Sequence, residues 1–226
     1  MKLLCVSDHI DPLVYSPNIK SRFGELDMVI SAGDLPMSYL GFLASSFNQP
    51  VLFVFGNHNL DKFHLFKKRS VTSVTRDDFR PNMENYFGST HVSDQVVRVK
   101  NLLIAGLGGS MRYNSGENQF TDVQMYIRIF RLIPRLLWNK LFHGRYLDIL
   151  LTHAAPRGIH DKPDACHTGF KSFLWFMRTF KPSYLLHGHI HLYDLNANRE
   201  TTYYRTRIIN VYDHYLLNIE GQDTNE

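Results

Sequence analysis

Apolar residues recur along the chain in short runs that stop abruptly at glycine or polar residues. Lys2–Ser7 runs into Asp8, Asp27–Ser31 into Gly33-Asp34, and Val51–Phe55 into Gly56-Asn57-His58. Asp148–Thr152 runs into His153, and Tyr184–Leu186 into His187-Gly188-His189. The runs are rich in Val, Ile, Leu and Phe, which predicts strands buried on both faces. At the end of each stands a residue able to bind a metal or move a proton. In open α/β sheets, that C-terminal edge is where ligands bind.

Helical patterns lie between the runs. Pro36–Phe47 predicts a helix with proline in its first turn. Thr121–Phe142 predicts a longer one, started by Thr121 and Asp122 and kinked at Pro134. His167–Phe180 predicts a third, stopped by Lys181-Pro182. Val96–Val99 and Leu102–Ala105 form a hairpin across Lys100-Asn101, and Thr201–Tyr204, Arg207–Val211 and Tyr215–Ile219 read as further strands. Parallel units mixed with antiparallel strands predict an α/β fold of two packed mixed sheets flanked by helices. With 226 residues, one domain over 1–220 and a frayed tail at 221–226 are expected.

Composition narrows the classes. With 44% hydrophobic and 20% charged residues, the chain can bury a core. Two cysteines, Cys5 and Cys166, cannot supply a disulfide framework, a zinc ribbon or an iron–sulfur site. Leu3–Val6 is too short for a secretory signal, and the uncharged stretch Leu35–Leu60 is broken by Pro36, Asn48 and Pro50. A cytoplasmic protein without membrane insertion is therefore expected.

The net charge of +4 has an address. Between Thr121 and Tyr146, Arg128, Arg131, Arg135, Lys140 and Arg145 stand against Asp122 alone. Arg128, Arg131 and Arg135 share one predicted helix face, opposite Ile129 and Ile133. Such a face fits solvent, a membrane, nucleic acid or a partner. A solvated helix over the sheet is the expectation, because Pro134 interrupts the stripe. The scattered aromatic residues form no stacking platform, so no nucleic-acid partner is expected.

The polar run-ends form an ordered set: Ser7-Asp8, Gly33-Asp34, Gly56-Asn57-His58, Thr152-His153 and Gly188-His189-Ile190-His191. Carboxylates, an amide oxygen and imidazoles without thiolate suit hard-to-borderline cations. This set resembles the calcineurin-like metallophosphoesterase superfamily, whose pattern is D-x-H, G-D, G-N-H-D/E, H and G-H-x-H in the same order. The resemblance spans residues 3–191.

It implies a four-layer sandwich of the metallo-dependent phosphatase type and a dinuclear centre. Two divalent ions are implied, Mn or Fe first, with Zn, Ni or Mg as alternatives. Asp34 would bridge them. Asp8 and His191 would serve one ion, and Asn57, His153 and His189 the other. His58 matches the histidine that approaches the leaving-group or phosphoryl oxygens, where it donates a proton or stabilises charge. The implied substrate is a small phosphomonoester or phosphodiester; the oligomeric state is left open.

Two positions depart from the pattern. Ile10 stands where D-x-H has its histidine, and His9, one residue earlier, points to the opposite side of an extended chain. Asp11 either turns back as a substitute carboxylate ligand or serves a capping or surface role. Asn59 replaces the usual Asp or Glu after His58. An eroded first metal site would instead suit a non-catalytic scaffold of the same fold; a nuclease would need DNA-binding modules that this length does not accommodate. The Gly106–Asn114 segment has two readings. Its amides and Arg112 hold a substrate phosphate, or it is a tight turn with a surface arginine.

Overall fold

Two six-stranded sheets face each other in the computed structural model, which describes residues 1–66, 85–194 and 197–219. In chain order the first half contains β1 (Lys2–Ser7), α1 (Ile19–Phe23), β2 (Met28–Ser31), α2 (Met37–Phe47), β3 (Val51–Phe53), β4 (Asn85–Tyr86), β5 (Ser89–His91), β6 (Gln95–Val99) and β7 (Leu102–Leu107). Then come β8 (Ser110–Met111), β9 (Gln119–Phe120), α3 (Asp122–His143), β10 (Ile149–Thr152), α4 (Lys171–Phe180) and β11 (Tyr184–His187). The chain closes on β12 (Glu200–Tyr203), β13 (Thr206–Asn210) and β14 (Asp213–Asn218). One sheet has the order β14-β1-β2-β3-β5-β4 and the other β12-β13-β11-β10-β7-β6.

Apolar residues at alternate positions explain the layers. Leu3 and Cys5 of β1, Met28 and Ile30 of β2, and Ile149 and Leu151 of β10 pack between the sheets. Leu4, Val6 and Val29 point the other way, into a core shared with α1 and α2. Leu150 does the same on the second sheet, beneath α3 and α4. Because successive strand residues face opposite sides, runs apolar at every position demand a partner on each face. Helices, sheet, sheet and helices are the result, as the sequence predicts. Truncating one fully buried leucine here, such as Leu151→Ala, costs about 2–5 kcal/mol.

β1, β2 and β3 run parallel, as do β7, β10, β11 and β13. The C-terminal ends of each set therefore share one edge of their sheet. The hairpin across Lys100-Asn101 pairs β6 with β7 as expected. No helix among the described residues is long and apolar enough to cross a membrane.

Two expectations need correction. The third predicted helix starts at Lys171 rather than His167. Phe170 donates its N–H to the Ala155 carbonyl, which ties the preceding residues to Pro156. Asp122 then caps α4 by accepting from the N–H groups of Lys171 and Ser172. α3 runs through Pro134 to His143 behind a Thr121–Gln124 capping box, within a residue of the predicted bounds. Arg128 does not share the solvent face of Arg131 and Arg135. It is buried, paired with Asp94 at 2.7 Å, bonded to the Gly108 carbonyl at 2.7 Å and stacked over Phe120. The expected tail at 221–226 lies outside the described residues.

Candidate metal centre

Five of the strands that end on the shared edge lead to the donors. β1 delivers Asp8 and β2 Asp34, while Asn57 follows β3. From the facing sheet, β10 delivers His153, and β11 leads to His189 and His191. The chain must turn off the strand at once for a side chain to face inward there. Asp8, Asp34 and His189 do so with φ of 65°, 57° and 65°. Left-handed backbone at non-glycine residues costs of order 1–3 kcal/mol and clusters at functional sites. The neighbouring glycines have a steric reason. A Cβ on Gly56 would overlap the Asp34 carboxylate and the His153 ring, and one on Gly188 would overlap Ser7 and Asp8.

The innermost group is Asp34, His153 and His189, whose ligand atoms lie within 4.8 Å of one another. All three are buried. His153 Nδ1 lies 2.8 Å from the Ala32 carbonyl, and His189 Nε2 lies 2.7 Å from the Cys166 carbonyl. A carbonyl only accepts, so both facing nitrogens carry protons. Their other nitrogens, His153 Nε2 and His189 Nδ1, then meet at 3.1 Å, with Asp34 Oδ2 3.3 Å from the first. Two lone pairs so close repel unless positive charge sits between them. The spacing also matches two ligands on one ion with bonds of about 2.1 Å.

Ionisation behaviour points the same way. Burial pushes the His153 pKa down, but Asp34 and then Asp8 outweigh it and raise it to a protonated state. Burial raises Asp34, yet His153 and the His58 N–H (2.8 Å to Oδ1) hold its carboxyl ionised. His189 is held neutral, its pKa lowered to about 3 by burial and by His153. Burial raises Asp8. The pocket thus keeps one positive charge among its carboxylates, and a divalent ion would take that proton's place.

Two further acceptors are buried without any partner: Asn57 Oδ1 and Asp8 Oδ1. Unsatisfied buried acceptors are rare in folded proteins and mark positions suited to a bound ion or water. The Asn57 amide is oriented by its Nδ2, which donates to the Tyr113 hydroxyl at 3.1 Å. Asp8 Oδ2 accepts from the Ser7 hydroxyl and from the His189 N–H, a bond that joins the two sheets at this edge. His191 Nε2 stands 3.9 Å from Asp8 Oδ1, and its Nδ1 contacts the Tyr193 hydroxyl at 2.8 Å. The donor set fits divalent metal. His58 is exposed at the rim, one residue beyond Asn57.

The structure does not bring three residues into this centre as substitutes or helpers. Ile10 packs against the helix-side core of the first sheet. Asp11 spends Oδ1 on the Leu13 N–H and Oδ2 on His214 at 2.5 Å. His9 contacts Asp213 at 2.7 Å. Of the two readings of Gly106–Asn114, the geometry favours the tight turn over a phosphate cradle. The amides of Gly109, Ser110, Arg112, Tyr113 and Asn114 all donate to protein acceptors, and Arg112 itself donates to the Gln119 carbonyl and Gln124. That segment is a tight turn whose contribution is Tyr113.

Sequence reasoning missed Tyr113, Tyr193 and Asn118, whose side chain donates to the Phe55 and Gly56 carbonyls and props the Asn57 turn. It also missed what Asn59 does, which is to donate to the Asp34 carbonyl at 2.8 Å.

A two-sheet α/β sandwich with oxygen and nitrogen donors converging at the shared strand edge defines a metal-binding class of protein. The chain belongs to the calcineurin-like phosphoesterase family, whose model matches residues 1–193. Membership implies metal-dependent phosphoester hydrolysis. No curated protein matches the chain. Among solved structures, one is similar with a TM-score of 0.59 at 11% identity, covering 94% of this chain and 90% of that one. The protein TT1561 of Thermus thermophilus is similar with a TM-score of 0.58 at 12% identity, covering 94% and 89%. At these identities the likeness is one of fold.

Proposed function

We propose that this protein hydrolyses a small phosphomonoester or phosphodiester at a two-ion centre, with manganese or iron as first candidates. Asn57, His153 and His189 would hold one ion, Asp8 and His191 the other, and Asp34 would serve both. Divalent ions bound there would supply Lewis-acid polarisation of the phosphoryl oxygens and a nucleophilic water at neutral pH. The chain's own groups do the rest. The Ala32 and Cys166 carbonyls keep both buried imidazoles in the ligating tautomer. Tyr113 aims the Asn57 carbonyl, and Asn59 fixes the Asp34 turn. His58, at the rim, donates a proton to the departing oxygen.

One observation carries this reading: two imidazoles oriented by main-chain carbonyls bring His153 Nε2 and His189 Nδ1 to 3.1 Å, beside a carboxylate, where a proton or a metal ion must sit between them. A second reading, a scaffold with an eroded site, draws on the placement of Ile10 and Asp11 away from Asp8.

Hydrolysis of p-nitrophenyl phosphate and its bis ester by Mn²⁺-loaded protein separates the two. Turnover that is lost in Asn57→Ala and His58→Ala supports the enzyme. Bound metal well below one ion per chain, with no turnover across Mn, Fe, Zn, Ni and Mg, supports the scaffold.

A further inference from the structure

α3 is apolar on two opposite sides. Met125, Ile129, Leu132 and Leu136 face the core. Val123, Ile127, Phe130, Leu137, Trp138 and Leu141 face outward, and each is 46–76% exposed. At about 100° per residue, these six and Pro134 fall within a stripe about 100° wide, opposite the buried one. The helix has 22 residues, so the stripe extends for roughly 30 Å. Scattered exposed leucines need no explanation, whereas a continuous apolar patch marks a contact surface.

The charges around the stripe identify the contact. Arg131 and Arg135 line one shoulder and Lys140 the other, all exposed. α4 adds exposed Lys171 and Arg178 and has no acidic residue. Asp122, the sole acid of α3, is occupied in capping α4. Trp175 of α4 packs against Phe130 and Tyr126, which extends the aromatic surface toward that helix. A second copy docked here would bring arginines against arginines with no carboxylate on either helix to pair them. An anionic surface supplies the missing charge.

We propose that the outer face of α3 docks in the plane of an anionic phospholipid leaflet. Trp138, Leu141 and their neighbours enter the headgroup–acyl boundary, while Arg131 and Arg135 reach lipid phosphates from one shoulder. This is adsorption rather than insertion, and it stands independently of the phosphoesterase reading.

The chain has two tryptophans, Trp138 and Trp175, and both lie in this layer. Intrinsic fluorescence therefore reports on the face directly. Metal-loaded protein should float with phosphatidylcholine vesicles containing phosphatidylglycerol, with blue-shifted tryptophan emission, and not with phosphatidylcholine alone. Leu141→Glu replaces a largely exposed side chain and should keep the far-UV circular dichroism while lowering partition by about tenfold or more. Arg131→Ala with Arg135→Ala should lower it by about tenfold or more and reduce its salt sensitivity. Absence of wild-type binding to anionic vesicles at low salt overturns the proposal, as does equal binding by Leu141→Glu. A dimer that Leu141→Glu dissolves, without vesicle binding, would assign the face to a second copy instead.

Discussion

The two halves of the metal centre are built to different standards. On the Asn57 side, Asp34, His153 and His189 are buried, their ring orientations are fixed by main-chain carbonyls, and their donor atoms already converge. On the Asp8 side the carboxylate is buried, but its imidazole neighbour His191 is 40% exposed and 3.9 Å away. Nothing beside it among the described residues completes this side: Ile10 offers no donor and packs into the core, and Asp11 turns onto His214. A ligand held by buried backbone acceptors loses little freedom when an ion binds, whereas an exposed one must be ordered at that moment. On the proposed two-ion reading, the Asn57 side would be the high-affinity half.

The harshest way to break the comparison is His153→Ala. It removes the ligand that faces both Asp34 and His189, and bound metal and turnover should both fall below detection by elemental analysis and phosphatase assay. His191→Ala should act more selectively. Isothermal titration with Mn²⁺ is expected to show one tight and one weaker event in the wild type, and this variant should lose only the weaker. Two equally tight events in the wild type would erase the distinction between the halves. A smaller effect is expected from Tyr113→Phe, which frees the Asn57 amide and should lower metal affinity at the tight half by about 10–100-fold.

Smallest at neutral pH is a control on burial itself. His91 is buried among Phe53, Phe55 and Phe66, and burial outweighs the nearby Asp94 carboxylate to lower its pKa to about 4. As pH falls below about 6.5, the unfolded chain takes up this proton while the folded chain refuses it. Stability is thus intact above that pH and drops by up to about 3 kcal/mol as pH falls to about 4. Denaturant titrations at pH 7 and 5 should show the loss, and His91→Leu should reduce it. An unchanged pH dependence in that variant would show that buried imidazoles elsewhere dominate.

The layers and the donors were readable for one physical reason. Strands apolar at every position and cut short by a donor leave little choice of architecture, so Asp8, Asp34, Asn57, His153 and His189 could be placed at strand ends from their runs alone. What escaped was whatever depends on a partner distant in sequence or on the main chain. The Ala32 and Cys166 carbonyls carry no side-chain signature, and Tyr113 meets Asn57 only after β7 and its turn bring the segments together. Arg128 looked like part of a basic face because helix periodicity gives angle but not neighbours. Asp94 and the Gly108 carbonyl, supplied by loops flanking the β6–β7 hairpin, draw it inward.

The left-handed backbone at Asp8, Asp34 and His189 has a consequence for how the protein would respond to selection in the laboratory. Glycine adopts these conformations without the steric cost that a side chain incurs. Under selection for heat resistance alone, replacements at these positions gain ground while the centre disappears. Each such replacement would trade a candidate donor for a more relaxed backbone.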